Sequence, residues 1–314
     1  MAAMGEDFDG AADGLIRSFR RLAQAKGPDA QLLVLIDPIL GDPMPELNFG
    51  HAIPISRLRV RHDDMAKEDA PYLLRVGKEE AHERLVAQTI RIALAEQQAS
   101  LDDAPSARSV CAWLFIQEGD LFKLTEALSR LSVVAGFGDP SKASIFRFWD
   151  PRVFQHLARI LGRQDFEGFL GSNVAAQWVW LGSDGQLKEH TFKGGAAWRP
   201  SSAQWQALSR IEDLNQCLLF SEAYASPDPS ARIHELDGAL QRANELQCRE
   251  SVDRITYALL AQSLGGSFEH HPLMLELFKQ LASEGVSFAA LAEAVDQSLW
   301  DQVKSDMAQS RRHT

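Results

Sequence analysis

The sequence predicts an α+β protein: an N-terminal mixed α/β lobe with a mainly antiparallel sheet, followed by an all-helical C-terminal lobe. Three observations carry this prediction. Before about residue 195, apolar runs of strand length alternate with helical periodicities and end in Gly, Pro or Asp turns. Two pairs of these runs, 132–149 and 176–192, lie close enough to close as hairpins, which favours antiparallel pairing. After residue 200 the apolar residues recur only at helical spacing.

In chain order, residues 1–30 read as a frayed start and a short amphipathic helix over 11–25. Leu15, Ile16, Phe19 and Leu22 lie on one side of that helix and Arg17, Arg20 and Arg21 on the other. Residues 31–195 form the α+β domain. A buried-strand run over 32–36 ends at Asp37-Pro38, and a loop rich in Pro and Gly follows to about residue 54, long enough to carry function. Strands are expected over 55–61 and 71–76, and a helix over 78–98 buries Leu85, Val86, Ile90 and Leu94. A strongly apolar strand over 109–116 leads through Gly119-Asp120 into a helix over 121–131. Strands over 132–137 and 144–149 pair across a turn at 138–141. A helix to about Leu161 follows, then a short one over 164–170. A second hairpin, 176–181 with 186–192, turns at Ser183-Asp184-Gly185.

A domain boundary is expected between Gly194 and Pro200. Residues 200–304 read as five helices, the first carrying Trp205, Leu208, Ile211, Leu214 and Leu218. The fifth is capped by Ser287 and runs to Val303. Residues 305–314 read as a disordered tail.

The bulk properties exclude several function classes. The net charge of −11 argues against nucleic acid and against an anionic membrane surface as partners, though it allows a local basic patch. Apolar runs fall short of the roughly 18–20 residues of a membrane span. Acidic Glu6, Asp7, Asp9 and Asp13 stand where a signal peptide would be apolar, so a cytoplasmic location is expected. Cys111, Cys217 and Cys248 are far apart and odd in number, which reads as free thiols in a reducing compartment.

Catalytic, cofactor and metal motifs are missing. The chain has no nucleophile elbow, no P-loop and no dinucleotide fingerprint. His270 and His271 are adjacent, so on a helix they would point about 100° apart, which does not suit a shared metal. Cys111 sits in an apolar run, as an inert core thiol does. No catalytic residue, cofactor or metal site is therefore expected.

The most sharply specified stretch is 145–154. Ile145, Phe146, Phe148 and Trp149 are β-formers, Asp150 is a preferred helix N-cap, and Pro151 fits the first helical position. Val153, Phe154, Leu157 and Leu161 then repeat at helical spacing. Arg147, Asp150 and Arg152 cluster at this strand–cap–helix joint. Either Asp150 caps the helix and pairs with one arginine, or Arg147 and Arg152 reach a partner's carboxylates and carbonyls. Trp178 and Trp180 point to the same side of their strand, as core packing or as a partner platform. The candidate partner-binding residues are thus Arg147, Trp149, Arg152, Trp178 and Trp180. Phe146, Phe148, Asp150 and Pro151 form a structural signature.

The run from Ser144 to Val153 resembles the Phe-Arg-Phe-(Tyr/Trp)-Asp-Pro-Arg-Val signature of type VI secretion effector-adaptor proteins, the Tap or TEC chaperones, whose shared domain has long carried only an unknown-function label. Leu35-Ile36-Asp37 resembles the family's opening strand, and Ala70-Pro71-Tyr72-Leu73-Leu74 its Pro-Tyr-Leu-Val segment. Gly119-Asp120-Leu121 onward resembles the helix before the hairpin, and Trp178-Val179-Trp180 with Asp184-Gly185 the closing strand pair. The resemblance covers about residues 32–192; beyond residue 200 it is one of general character. Leu128-Ser129-Arg130 stands where many members have His-Leu-Arg.

The resemblance implies a non-catalytic cytoplasmic adaptor. It would bind one cognate effector protein and help load it onto a VgrG-type spike protein. Two alternatives stand beside it: a carboxylate-based hydrolase with a site at the inter-lobe cleft, and a structural component of the secretion baseplate.

Overall fold

The fold is that of a computed structural model, which describes residues 2–27, 29–43, 55–77, 80–99, 108–117, 119–135, 143–171, 174–194, 198–221, 226, 228–265, 268–284 and 286–310. The chain divides into two compact units, Met1–Gln204 and Trp205–Thr314. The first is an antiparallel sheet with helices and the second is helical, as the sequence predicts.

The first unit opens with α1 (Ala2–Gln24), a helix that reaches well before the expected residue 11. Arg91 explains its early part: the guanidinium holds Asp9 and Asp13, each at 2.7 Å, and fastens this stretch instead of leaving it frayed. The strands are β1 (Ala30–Ile36), β2 (Ile55–Arg57), β3 (Tyr72–Val76), β4 (Val110–Gln117), β7 (Ala176–Leu181) and β8 (Leu187–Phe192). They form one sheet in the order β2-β3-β1-β4-β7-β8. Every neighbouring pair is antiparallel. A separate two-stranded ribbon pairs β5 (Val133–Ala135) with β6 (Ala143–Ile145).

Both sheet faces are covered, which is why β4 reads as an unbroken apolar run rather than an alternation. On one face, Val34, Ile36, Leu74, Trp113, Phe115 and Val179 pack under α1 and α2 (Glu80–Gln98). The Trp113 indole also donates to the Thr89 hydroxyl of α2, at 2.9 Å. The other face carries α4 (Pro151–Glu167), whose Phe154 stacks on Trp178. It also carries α3 (Leu121–Leu131), whose Thr125 hydroxyl bonds that of Ser56 in β2. Helix α4 is two helical segments joined at Gly162, whose φ of 75° is easy only for glycine. That break separates the two helices expected there. The middle of the loop after Asp37 and the turn at 138–141 lie outside the described residues, as do 78–79 and 195–197.

The helical unit has more breaks than the five helices expected. The first splits into α5 (Ser202–Ser209) and α6 (Ile211–Phe220) at Arg210. There the buried guanidinium donates to Asp237 at 2.9 Å and to the Gln206 carbonyl at 3.0 Å. Then come α7 (Pro229–Glu245), α8 (Ser251–Leu264) and α9 (Pro272–Glu284). The fifth splits into α10 (Phe288–Ala294) and α11 (Gln297–Ser310). Asp296 restarts it, because its carboxylate accepts from the Ser298 amide at 2.8 Å. The tail expected to be disordered from residue 305 is helix to Ser310. Val303 is buried and Met307 packs on the core, which holds that end in place; 311–314 lie outside the described residues.

Candidate functional site

The stretch 145–154 is where the described unit departs most from a simple strand. β6 stops at Ile145, and the expected strand to Trp149 is instead a tight turn. The Phe146 amide donates to the Ser132 carbonyl, and the Asp150 amide to the Arg147 carbonyl at 3.1 Å. The reason is burial. Phe146, Phe148 and Trp149 are all buried, whereas a strand would send alternate side chains to opposite faces. Asp150 then caps α4 as expected. Its carboxylate accepts from the Arg152 amide at 2.9 Å, and Pro151 occupies the first helical turn.

One residue that sequence spacing did not single out as a site organises the joint. Asp37, at the end of β1, is 2% exposed. Its Oδ2 accepts from Arg147 Nε at 3.1 Å, Arg147 Nη2 at 2.7 Å and Trp149 Nε1 at 2.6 Å. Oδ1 accepts from the Ile39 amide at 3.2 Å, and the Asp37 amide donates to the Ser109 carbonyl. Arg152 closes on its own cap, with Nε and Nη2 donating to Asp150 at 3.0 and 2.6 Å. So each arginine has its own carboxylate, as a buried charge requires.

A further polar set, built on Glu96, adjoins them. The Glu96 side chain accepts from the Ser109 amide and hydroxyl, and Arg108 donates to the Glu96 carbonyl. Burial raises the Glu96 carboxyl above its ordinary range, with Ser109 and Arg108 pulling the other way. Burial and then the charge of Arg152 lower Arg108 to about 10. Cys111, among these groups, is pushed well up by burial and by Asp37 and Asp150, so its thiol stays protonated and is no nucleophile. Among the described residues, no cluster of three or more His, Cys, Asp or Glu is arranged to hold a metal ion.

The aromatic candidates divide. Trp149 and Trp178 are fully buried, so neither is the partner-contacting surface that the sequence allowed. Trp149 spends its N–H on Asp37. Trp178 lies parallel to Phe154, with centroids 4.5 Å apart and ring planes at 8°. Trp180 does point to the same side as Trp178. It meets the Phe154 ring edge-on at 5.0 Å and keeps partial exposure. That side of the strand is core, which is the packing reading of the pair. What solvent reaches at the corner is about 30% of the Arg147 and Arg152 side chains, together with exposed Ile39 and Leu40 in the turn after Asp37.

Sequence reasoning did not pick out Asp37, Glu96 or Arg108 as site residues. The Asp37 signal was an acid closing an apolar strand just before a proline. Glu96 and Arg108 carried none, because their partners are fixed only by the packing of α2 against β4.

Residues 57–167 match the model of a family described as a domain of unknown function (DUF4123). The matched stretch runs from β2 to the end of α4 and includes Arg147, Asp150 and Arg152, while Asp37 and the tryptophans of β7 fall outside it. No curated protein and no solved structure matches the chain. Among the described residues, no helix is long and apolar enough to cross a membrane.

Proposed function

We propose that this chain is a non-catalytic adaptor of a type VI secretion system. It binds one cognate effector protein in the cytoplasm and helps place that effector on the VgrG-type spike. The observation that carries this reading is the coincidence of two signals. The Phe146–Val153 joint has the adaptor-like signature, and it lies inside the stretch that matches the domain of unknown function. The chemistry of the joint supports binding over catalysis. Asp37, Asp150 and Glu96 are each engaged by arginine or serine groups, and the adjacent thiol is protonated.

The test is co-expression of the tagged full chain with the protein encoded beside it and with a VgrG-type spike protein. A stable stoichiometric complex with the neighbour, and loss of its delivery when the adaptor gene is deleted, are the expected results. Recovery of neither protein, with delivery unchanged, would overturn the reading.

A further inference from the structure

The Arg147 guanidinium is held by one edge only. Its Nε and Nη2 both donate to Asp37 Oδ2, at 3.1 and 2.7 Å, and Nη1 makes no bond among the described residues. The Arg147 side chain is 30% exposed and that of Asp37 1%, so solvent meets the arginine from the side away from the carboxylate. The same carboxylate fixes what lies beside it. Asp37 Oδ1 accepts from the Ile39 amide at 3.2 Å, and the Gly41 amide closes the turn by donating to the Pro38 carbonyl at 2.8 Å. Tyr72 holds the far end of the turn, its hydroxyl donating to Asp42 at 2.7 Å. A fixed turn thus presents Ile39 and Leu40, 36% and 50% exposed, one carboxylate away from a fixed guanidinium end.

Charge decides what such a corner accepts. A partner carboxylate reaching Nη1 gives up its hydration and meets a pair that is already neutral, with the Asp37 carboxylate just behind the guanidinium. Attraction by one is then largely offset by repulsion from the other. A carbonyl oxygen carries no net charge. It loses less hydration, and it still accepts from an N–H of a charged group, a stronger donor than a neutral amide. The two aliphatic side chains agree with this, because they favour an apolar neighbour over an acidic one. Pinning also lowers the cost of binding. A loose arginine loses rotamer freedom when a partner orders it, whereas this one is ordered beforehand by Asp37.

We propose that this corner binds the partner protein through a main-chain carbonyl that accepts from Arg147 Nη1, with an apolar side chain of the same segment seated on Ile39 and Leu40. The inference rests on the adaptor reading for the existence of the partner. It chooses carbonyl over carboxylate, the two acceptors that the sequence leaves open for Arg147.

The test uses the complex of the full chain with the protein encoded beside it, its affinity measured for wild type, Leu40→Asp and Arg147→Lys. Leu40→Asp should weaken binding at least about tenfold. That side chain is half exposed, so the variant keeps its fold even if a change at Arg147 disturbs the joint. Arg147→Lys keeps the charge and can still pair with Asp37, but it loses the planar fork that donates in two directions at once. It should also weaken binding at least about tenfold. A structure of the wild-type complex should place a partner main-chain oxygen about 2.7–3.2 Å from Nη1. A carboxylate at that position, no partner atom there, or unchanged affinity in either variant would each overturn the inference. In those cases the partner still binds and the adaptor reading stands. If wild type recovers no partner, the adaptor reading falls and this inference falls with it.

Discussion

The two units bury their charges in contrasting ways. In the sheet unit, Asp37 is tied to Arg147 and Trp149, which lie 110 and 112 residues further along the chain. In the helical unit, Arg210 meets Asp237 at a separation of 27, and Arg254 meets Asp213 at 41. Asp253 accepts from the Ser287 hydroxyl and the Ala289 amide, 34 and 36 residues on. These polar groups of the helical unit are thus joined between elements near in sequence, whereas Asp37 of the sheet unit finds its partners only when the end of the first strand meets the turn that precedes the fourth helix. A single substitution should expose that difference in reach.

The largest effect is expected at Asp37. Asp37→Ala leaves the Arg147 guanidinium and the Trp149 N–H without their acceptor, costing about 3–5 kcal/mol. Hydrogen exchange should quicken in β1, β4 and α4 and stay unchanged after residue 205. Equal quickening in both units would break the comparison. Next is Asp213→Ala, which removes the acceptor of Arg254 and of the Ser251 hydroxyl. A loss of about 3 kcal/mol is expected, with the exchange change confined to α6 and α8. Asp150→Ala should cost less, about 0.5–2 kcal/mol in urea unfolding, since it removes a cap while Arg152 can turn to solvent.

The smallest effect concerns pH. The folded state raises the Glu96 carboxyl pKa, so it holds that proton more tightly than the unfolded chain does. The stability linked to this group is therefore full below the ordinary carboxylate range and is lost as pH rises through the raised folded value. Urea midpoints taken from about pH 4 to about pH 7 should show that decline in wild type and a flatter profile in Glu96→Gln. Identical profiles would mean that Glu96 does not titrate differently in the folded state.

Legibility in the sequence followed the range of the determining contact. The helix over 121–131 and the strand over 176–181 were placed to the residue, because local periodicity and turn residues set their ends. The Asp150 cap was legible for the same reason, its acceptor and donors lying within two residues. The strand predicted through Trp149 failed because four consecutive residues there are claimed by tertiary partners. Phe146 and Phe148 go to the core, while Arg147 and Trp149 go to a carboxylate no local pattern could supply. The break at Arg210 was hidden likewise, since its cause is Asp237 on another helix. The break at Asp296 was readable, an Asp two residues before Ser298 being an ordinary cap, but it was masked by the leucine and valine spacing that runs across it.

The separation between Asp37 and Arg147 also sets a schedule for biosynthesis. A ribosome adds roughly 5–20 residues per second, so the guanidinium reaches the carboxylate roughly 5–20 seconds after β1 has been made. The 112-residue reach to Trp149 means that its indole arrives no sooner. In the earlier part of that interval β1 can pair with β3, which is complete at Val76, while its other edge waits for β4, complete at Gln117. The nascent chain therefore displays an apolar, unpaired strand edge until Gln117 is free of the tunnel. Slowing translation between β3 and β4 would prolong that exposure more than slowing it anywhere in the helical unit.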